Sequence, residues 1–410
     1  MHEIKSREEF AELASNYLIE TGVDGACSFD IQSFALSFKD EQGRPRQRIA
    51  LENFYREFVS IPSDERQSVL QRMLALSRQM VDYGSYADIE PNLTLAIYDR
   101  WRITFSVLDF DQRMRQLSEP HTNITGFMMG DVFCSVPTID QGTSKQVVHT
   151  GHYSHWSKTY DEVNRIAQLN LIEKTKSLHF ELHEAKAGSD NRFYLAREDD
   201  YAASHVLYIS QFNNQKVLGE RVAFLPLPNR LLITGSKDLF GLMFGLTELE
   251  QSRNEPHALP PFPLICRGEE FFRFKPLPSE PLYERFHLLE TDYFGQIYAQ
   301  QREQLLSDFD QLHEDTFVAS FARVGASTGA VRSVCTLTLG VPTLLPQTDA
   351  IMFAKVVGET GSIVAQGKWS RVSGILGNKL KPTNHYPPRF MVNESPTEQE
   401  LLRIGKEEIF

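Results

Sequence analysis

Apolar positions along this chain recur at two periods, and the places where one period gives way to the other mark its elements. Phe10, Leu13, Tyr17 and Leu18 fall on one helical face, and Val69, Met73, Leu76 and Met80 do the same after Pro62-Ser63-Asp64. Both stripes predict helices facing a core. From Leu178 to Lys186 the period becomes two: Leu178, Phe180 and Leu182 alternate with His179, Glu181 and His183, which predicts a half-buried strand. Phe29 to Lys39 also reads as a strand, and Gln42-Gly43-Arg44-Pro45 as a turn. Leu51 to Phe58 fits a short helix or a strand equally well. Between Tyr201 and Gly245 an apolar segment (Val206 to Ile209), two β-like runs (Val222 to Leu225 and Leu231 to Thr234) and a Gly-punctuated apolar run predict an αββα unit. The stretch 254–281 carries seven prolines and neither period, and is expected to be a surface connection. Phe294, Ile297, Leu305, Phe309 and Leu312 then predict a long helix to about Glu314. β-like runs follow at Phe317 to Val324, Val331 to Leu339 and Ile351 to Val357.

Local polar chemistry places the helix starts. Ser6-Arg7-Glu8-Glu9 and Thr159-Tyr160-Asp161-Glu162 fit the capping box, in which the hydroxyl takes the N3 amide and the Glu reaches back. Ser395-Pro396-Thr397-Glu398 reads as a third start with proline at the first helical position, and Gly405 as its stop. The whole predicts an α+β protein. A mixed α/β region over 1–315 is followed by a smaller β-rich C-terminal domain over 316–410 that is closed by a helix.

The 410 residues are 41% hydrophobic and 23% charged, which excludes disorder as the dominant state. Twenty-eight Phe and 14 Tyr supply a core that needs neither disulfides nor metal. A net charge of −12 argues against nucleic-acid binding by phosphate neutralisation. Cys27, Cys134, Cys266 and Cys335 stand singly, without a C-x-x-C pair, and are expected to be reduced thiols of a cytoplasmic protein. The N-terminus lacks a secretory core, and no apolar run is long enough to span a membrane.

Four ordered segments carry a family resemblance: LENFYREF (Leu51 to Phe58), VNRIAQLNL (Val163 to Leu171), DDYAASHVL (Asp199 to Leu207) and GERVAFLPLPNRLLITG (Gly219 to Gly235). Over roughly its first 250 residues the chain resembles the YtpQ-like bacterial domain-of-unknown-function family. The resemblance implies a mixed α/β bacterial cytosolic protein and no reaction. Members of that family often carry an acidic residue after the Pro-x-Arg of the last segment. Here Leu231 follows Arg230, so the Asn229-Arg230 turn inherits no role.

Several residue groups have a chemical reading beside a structural one. Gly325-Ala326-Ser327-Thr328-Gly329 matches G-x-S-x-G, with Asp349 and His385 downstream in Ser, Asp, His order. Its flanks read as two strands, so the glycines are expected to serve a hairpin loop. Glu184-Ala185-Lys186 matches half of a metal-dependent nuclease site, yet Asp161, the nearest partner carboxylate, lies in the first turn of a capped helix. His149, His152 and His155 could chelate only from a loop, because on a strand the outer two stand ~20 Å apart. His179 and His183 are ~13 Å apart on a strand and do not chelate together. Arg44, Arg46 and Arg48 read as a solvated loop, and Gly340 to Pro346, with two prolines, as an edge strand or turn. Neither a Walker nor a Rossmann fingerprint occurs, so no cofactor is expected. The expectation is a non-catalytic binding or scaffold protein whose partner is a protein or a small molecule. The alternative is a hydrolase, working through Ser327 or through a metal at Glu184.

Overall fold

A computed structural model of the chain describes residues 4, 6–21, 26–31, 34–39, 45–78, 85–104, 126–142, 145–176, 178–197, 199–211, 215–267, 270–312, 315–325, 329–358 and 360–408. The architecture is α+β: the described sheets of the N-terminal region are antiparallel, and the two of the β-rich C-terminal part are mixed. No helix among the described residues is long and apolar enough to cross a membrane.

The helix Arg7–Glu20 starts where its sequence predicts, with the Ser6 hydroxyl accepting from Glu9 N at 3.1 Å, and it buries Phe10, Ala11, Ala14 and Leu18. These residues pack on a meander of three antiparallel strands, Ala26–Asp30, Ala35–Lys39 and Pro45–Ala50. The single strand expected over Phe29 to Lys39 is therefore two. The chain reverses between Asp30 and Ala35, where Phe34 takes φ 45° and sets its ring against Phe29 and Tyr55. Leu51 to Phe58 resolves as the helix Glu52–Ser60, which closes this core through Phe58 together with Val69, Leu70 and Met73 of Arg66–Arg78.

Next, Leu93–Asp99 pairs along its whole length with Phe133–Asp140. The helix Tyr160–Thr175 has the predicted Thr159/Glu162 capping box and presents Val163, Ala167 and Leu171, one side chain every four residues, to this core. The predicted αββα unit forms the heart of a six-stranded antiparallel sheet. Its order is Glu270–Arg273, Leu264–Arg267, Arg221–Phe224, Arg230–Gly235, Arg192–Arg197, Glu181–Glu184. Both faces of its middle strands are covered. Ala223, Leu231 and Ile233 meet the 3-10 segment Ala202–Gln211, while Val222, Phe224 and Leu232 meet the helix Leu239–Ser252 and the start of the long helix Tyr283–Leu312. That double cover is why these strands read as unbroken apolar runs rather than alternating ones.

Two expectations about this sheet are corrected. The strand predicted over Leu178 to Lys186 is only Glu181–Glu184, and its facing is reversed: Leu182 is exposed, while His183 stacks on Phe193 at 4.7 Å. At this sheet edge the half-exposed imidazole lies flat on Phe193, which stacks in turn on Phe244, and the aliphatic chain faces outward. The proline-rich stretch 254–281 contributes the hairpin Leu264–Arg267/Glu270–Arg273 and buries Leu259, Phe262, Leu264 and Ile265. Its prolines flank the strands instead of interrupting them, which leaves every ladder N–H in place.

The long helix Tyr283–Leu312 confirms the predicted stripe. It sends Phe286 and Leu289 to the central sheet, Ile297 to Trp101 and Tyr386, and Leu305 to Val318 and Leu344. After it come two four-stranded sheets. In one, Val331–Thr338 lies parallel to Ala350–Val357, and Ala322–Gly325 and Thr360–Lys368 flank the pair. In the other, Thr343–Pro346 sits between Phe317–Val318 and Arg389–Val392. Thr343–Pro346 is thus interior, not the expected edge: Pro342 precedes the strand and Pro346 ends it, so neither removes a needed donor. Helices Trp369–Leu376 and Glu398–Ile404 cover this unit, and the last stops at Gly405 as predicted. Its cap is Thr397 with Glu400 rather than Ser395, whose hydroxyl accepts from Gly340 N instead.

Candidate ligand-binding cleft

A cleft of about 780 Å³ opens at one end of the central sheet, lined by Asp190, Ile209, residues 215–221 and Cys266. One wall is the segment Gln215 to Glu220, which bends over 218–220 and leads into the strand Arg221–Phe224. Hydrogen bonds pin this wall to the turn after Arg230–Gly235: Ser236 N donates to Glu220 O at 2.8 Å, Lys237 N to Leu218 O at 3.0 Å, and Glu220 N to Ser236 Oγ at 3.0 Å. Two glycines allow so close an approach. A Cβ on Gly235 would collide with the backbone of Leu218, and Gly219, at φ 91°, would drive one into Ser236 Oγ. Tyr194 adds a hydrogen bond from its hydroxyl to Lys216 O at 3.3 Å.

The acidic groups of the cleft are already engaged. Arg267 holds Glu220 through two hydrogen bonds of 2.8 and 3.2 Å, which lowers the Glu220 pKa, and Arg192 lies 3.5 Å from Asp190. Lys216, in contrast, makes no ion pair among the described residues. Ile209, Val217, Leu218 and Cys266 supply apolar lining. Burial raises the Cys266 thiol against the opposing pull of Arg221, so at neutral pH it stays protonated.

The residues singled out by sequence lie elsewhere and do not converge. His149 caps the helix Thr150–Trp156: its Nδ1 accepts from Gly151 N at 3.2 Å, while His152 Nδ1 accepts from His149 N, also at 3.2 Å. Burial drives the two pKa values down to about 4 and about 3, so both rings are neutral. His155 lies on the same short helix, and among the described residues no three His, Cys, Asp or Glu side chains form a metal-holding group. Glu184 closes the turn after its strand, accepting from Gly188 N at 2.9 Å and pairing with Arg192 at 3.4 Å. Lys186 is exposed in that turn, beyond the strand end, and so does not share the face of Glu184. Asp161 is exposed in the first turn of its helix, and His179 is exposed outside the shortened strand.

Ser327 lies outside the described residues, and the strands on either side of its loop pair as an antiparallel hairpin. Asp349 accepts from Ser333 N and Oγ at 2.7 and 2.8 Å and meets His287 Nε2 at 3.0 Å, whereas His385 bonds Thr383. Arg46 and Arg48 lie in the strand Pro45–Ala50 rather than in the expected loop, and their side chains, like all of Arg44, are outside the described residues. Arg230, after the Asn229 turn, pairs with Glu248 at 3.1 Å. The four cysteines are reduced, with Cys134 and Cys335 buried.

One polar cluster had no sequence signal. His287 of the long helix is buried, stacks on Tyr283, and joins Asp349 and Ser333 of the C-terminal part to Lys275 and Glu290. Its Nδ1 meets Lys275 Nζ at 3.0 Å and Glu290 Oε2 at 3.6 Å. The ammonium asks for a lone pair there and the carboxylate for a proton. Burial alone would depress the His287 pKa, but its hydrogen bonds to Asp349 and Glu290 outweigh that and raise it. Glu290, with Lys275 and Arg273 also on it, falls to about 2 despite its burial. Asp349 stands 62 residues from His287, and no local pattern announces such a pair.

The chain matches no family model, no curated protein and no solved structure.

Proposed function

We propose that this is a non-catalytic binding protein that takes its ligand in the cleft at the end of the central sheet. The observation that carries this reading is a hollow of about 780 Å³, one wall of which is pinned by hydrogen bonds to the neighbouring turn. That is the size of sites that enclose small molecules or short chain segments. Its lining pairs apolar side chains with a few polar groups, and its two carboxylates are held by arginines while its thiol stays protonated. The competing reading is a hydrolase acting through Ser327 or through a metal at Glu184. Two measurements decide between them. Native mass spectrometry of protein purified from its own cells is expected to show a co-purified molecule that Lys216→Glu releases. A hydrolase and nuclease screen with Mg²⁺ and Mn²⁺ is expected to show no turnover that Ser327→Ala or Glu184→Ala abolishes. Such a turnover would sink the proposal.

A further inference from the structure

His205, in the 3-10 segment Ala202–Gln211, is fully buried between the end of a helix and the turn that starts the segment. Its Nδ1 lies 2.6 Å from Oγ1 of Thr175, the last residue of the helix Tyr160–Thr175, and that hydroxyl is also 2.7 Å from Leu171 O. On the other side Nε2 faces Asp199 Oδ2 at 3.5 Å and has no hydrogen-bond partner among the described residues. Three contacts call for three hydrogens. The Thr175 hydroxyl supplies one and a neutral imidazole one. A neutral ring therefore either leaves two oxygens 2.7 Å apart with no hydrogen between them or points the Nε2 lone pair at a carboxylate. A ring protonated on both nitrogens fills all three: Nδ1–H donates to Thr175, Thr175 donates to Leu171 O, and Nε2–H meets the Asp199 charge, at a distance where Coulombic attraction replaces a hydrogen bond.

Asp199 is suited to hold that charge. Burial would raise its carboxyl, but the His205 ring and the N–H of Tyr201, 2.7 Å from Oδ1, outweigh that and keep it below its usual range. The other charges nearby come from outside the segment: Lys145, over the Tyr201 ring, donates to Asp200 O at 2.6 Å and also attracts Asp199, and Lys174, over the same ring, pairs with Asp140 at 3.0 Å. The sheet beneath brings apolar side chains, Ala223, Leu231 and Ile233. Onto it the segment lays Ala202, Ala203, Val206 and Ile209, the last of which lines the cleft. We propose that His205 is a proton-operated clasp: protonated on both nitrogens it locks the segment Ala202–Gln211 between Thr175 and Asp199, and on giving one proton to solvent past the partly exposed Asp199 carboxylate it loosens the segment and the cleft wall that carries Ile209. The hold is full while Asp199 is ionised and the ring is protonated, and it fades as pH rises. It does not depend on what the cleft binds.

Hydrogen exchange read by mass spectrometry on the full chain, between about pH 5.5 and 8.5 with exchange times scaled to the intrinsic rate, tests this. Expected is protection over 199–209 that falls as pH rises, by up to about tenfold per pH unit for one proton, while the strand Arg230–Gly235 beneath keeps its protection. Asp199→Asn retains an acceptor for Tyr201 N but removes the charge, so the fall should begin at lower pH. His205→Gln should leave 199–209 loose at every pH. Nitrogen NMR of the histidine-labelled chain is the second readout: at about pH 6 one ring should carry protons on both nitrogens, and that signal should vanish in His205→Gln or, where that variant does not fold, lose a proton at lower pH in Asp199→Asn. Protection over 199–209 that ignores pH, or that responds alike in wild type and Asp199→Asn, would overturn the clasp. So would a loss of equal size across the central strands, or the absence of a doubly protonated ring assignable to His205.

Discussion

Arg389 is fully buried, and its guanidinium meets oxygens rather than a carboxylate: Gln301 Oε1 at 2.6 Å and the carbonyls of Ala319 and Leu344 at 3.0 and 3.1 Å, beside the ring of Tyr298. Burial lowers its pKa to about 10, so it remains charged at neutral pH. Arg389→Met would leave the Ala319 carbonyl and the Gln301 amide oxygen without this donor in the interior, while Leu344 O keeps its bond from Ala319 N. Since each such group costs about 1–3 kcal/mol, a loss of roughly 3–5 kcal/mol is expected by urea denaturation. Arg389→Lys should fall between, because one ammonium cannot span a fork of acceptors. His287 makes a different claim at the same scale. Its folded pKa is raised, so its contribution is fully present below about pH 6.5 and fades as pH rises through the folded value. Glu290 and Asp349 are depressed, so theirs is present above about pH 4.5 and fades as pH falls, for Glu290 through about 2. The Glu290 shift corresponds to a contribution on the order of 3 kcal/mol. The contribution of this cluster should therefore be greatest near pH 5–6. The difference between wild type and His287→Gln should shrink from pH 6 to pH 9 in thermal melts. A difference that grows over that range would mean that Lys275, not the two carboxylates, governs the ring.

The helix Leu239–Ser252 shows how the elements are fitted together. Gly241 and Gly245, four residues apart on one face, bring it onto the sheet, where a Cβ on Gly245 would stand 2.7 Å from three ring carbons of Phe224. Alanine favours a helix interior by about 1 kcal/mol over glycine, but forced overpacking costs about 1–3 kcal/mol. The clash should win: Gly245→Ala is expected to lower stability by about 1–2 kcal/mol, while Met243→Ala on the exposed face of the same helix stays within about 0.5 kcal/mol. Chemical denaturation of the two variants decides it. Elements of this kind were legible because their causes are local. The Ser6 and Thr159 caps, the stripe of Tyr283–Leu312 and the paired runs around Asn229 each follow from residues within one or two turns. Legibility ended where a distant partner decides. Leu182 yields its place because Phe193 and Phe244 offer His183 a stacked seat, and Leu264–Arg267 becomes a strand because Arg221–Phe224 presents it an open ladder. The cleft left only the faint signal of Gly219 and Gly235, and their meaning depends on the two segments touching.

At the scale of the whole molecule the question is whether its parts unfold separately. The long helix argues that they do not. Phe286 and Leu289 are buried against the central sheet, Ile297 against Trp101 and Tyr386, and Leu305 against Val318 and Leu344, so one rigid rod contributes to several cores. The polar contacts repeat the pattern. Asp99 accepts from Tyr293 on this helix at 2.7 Å, Trp101 Nε1 donates to Gln300 at 2.6 Å, and Tyr298 and Gln301 donate to the carbonyls of Pro388 and Pro387. Removing residues 316–410 from the helix would expose Tyr298, Leu305 and the buried amide of Gln301 together. At roughly 1.5–3 kcal/mol for each large apolar side chain, that loss reaches the lower end of the roughly 5–15 kcal/mol that stabilises a typical domain. Scanning calorimetry of the intact chain should therefore show one dominant transition, and Arg389→Met, though it lies in the C-terminal part, should move that transition as a whole. Two resolved peaks, with only the lower one shifted by the substitution, would show that the helix joins two independently stable bodies and that its shared cores are too weak to couple them.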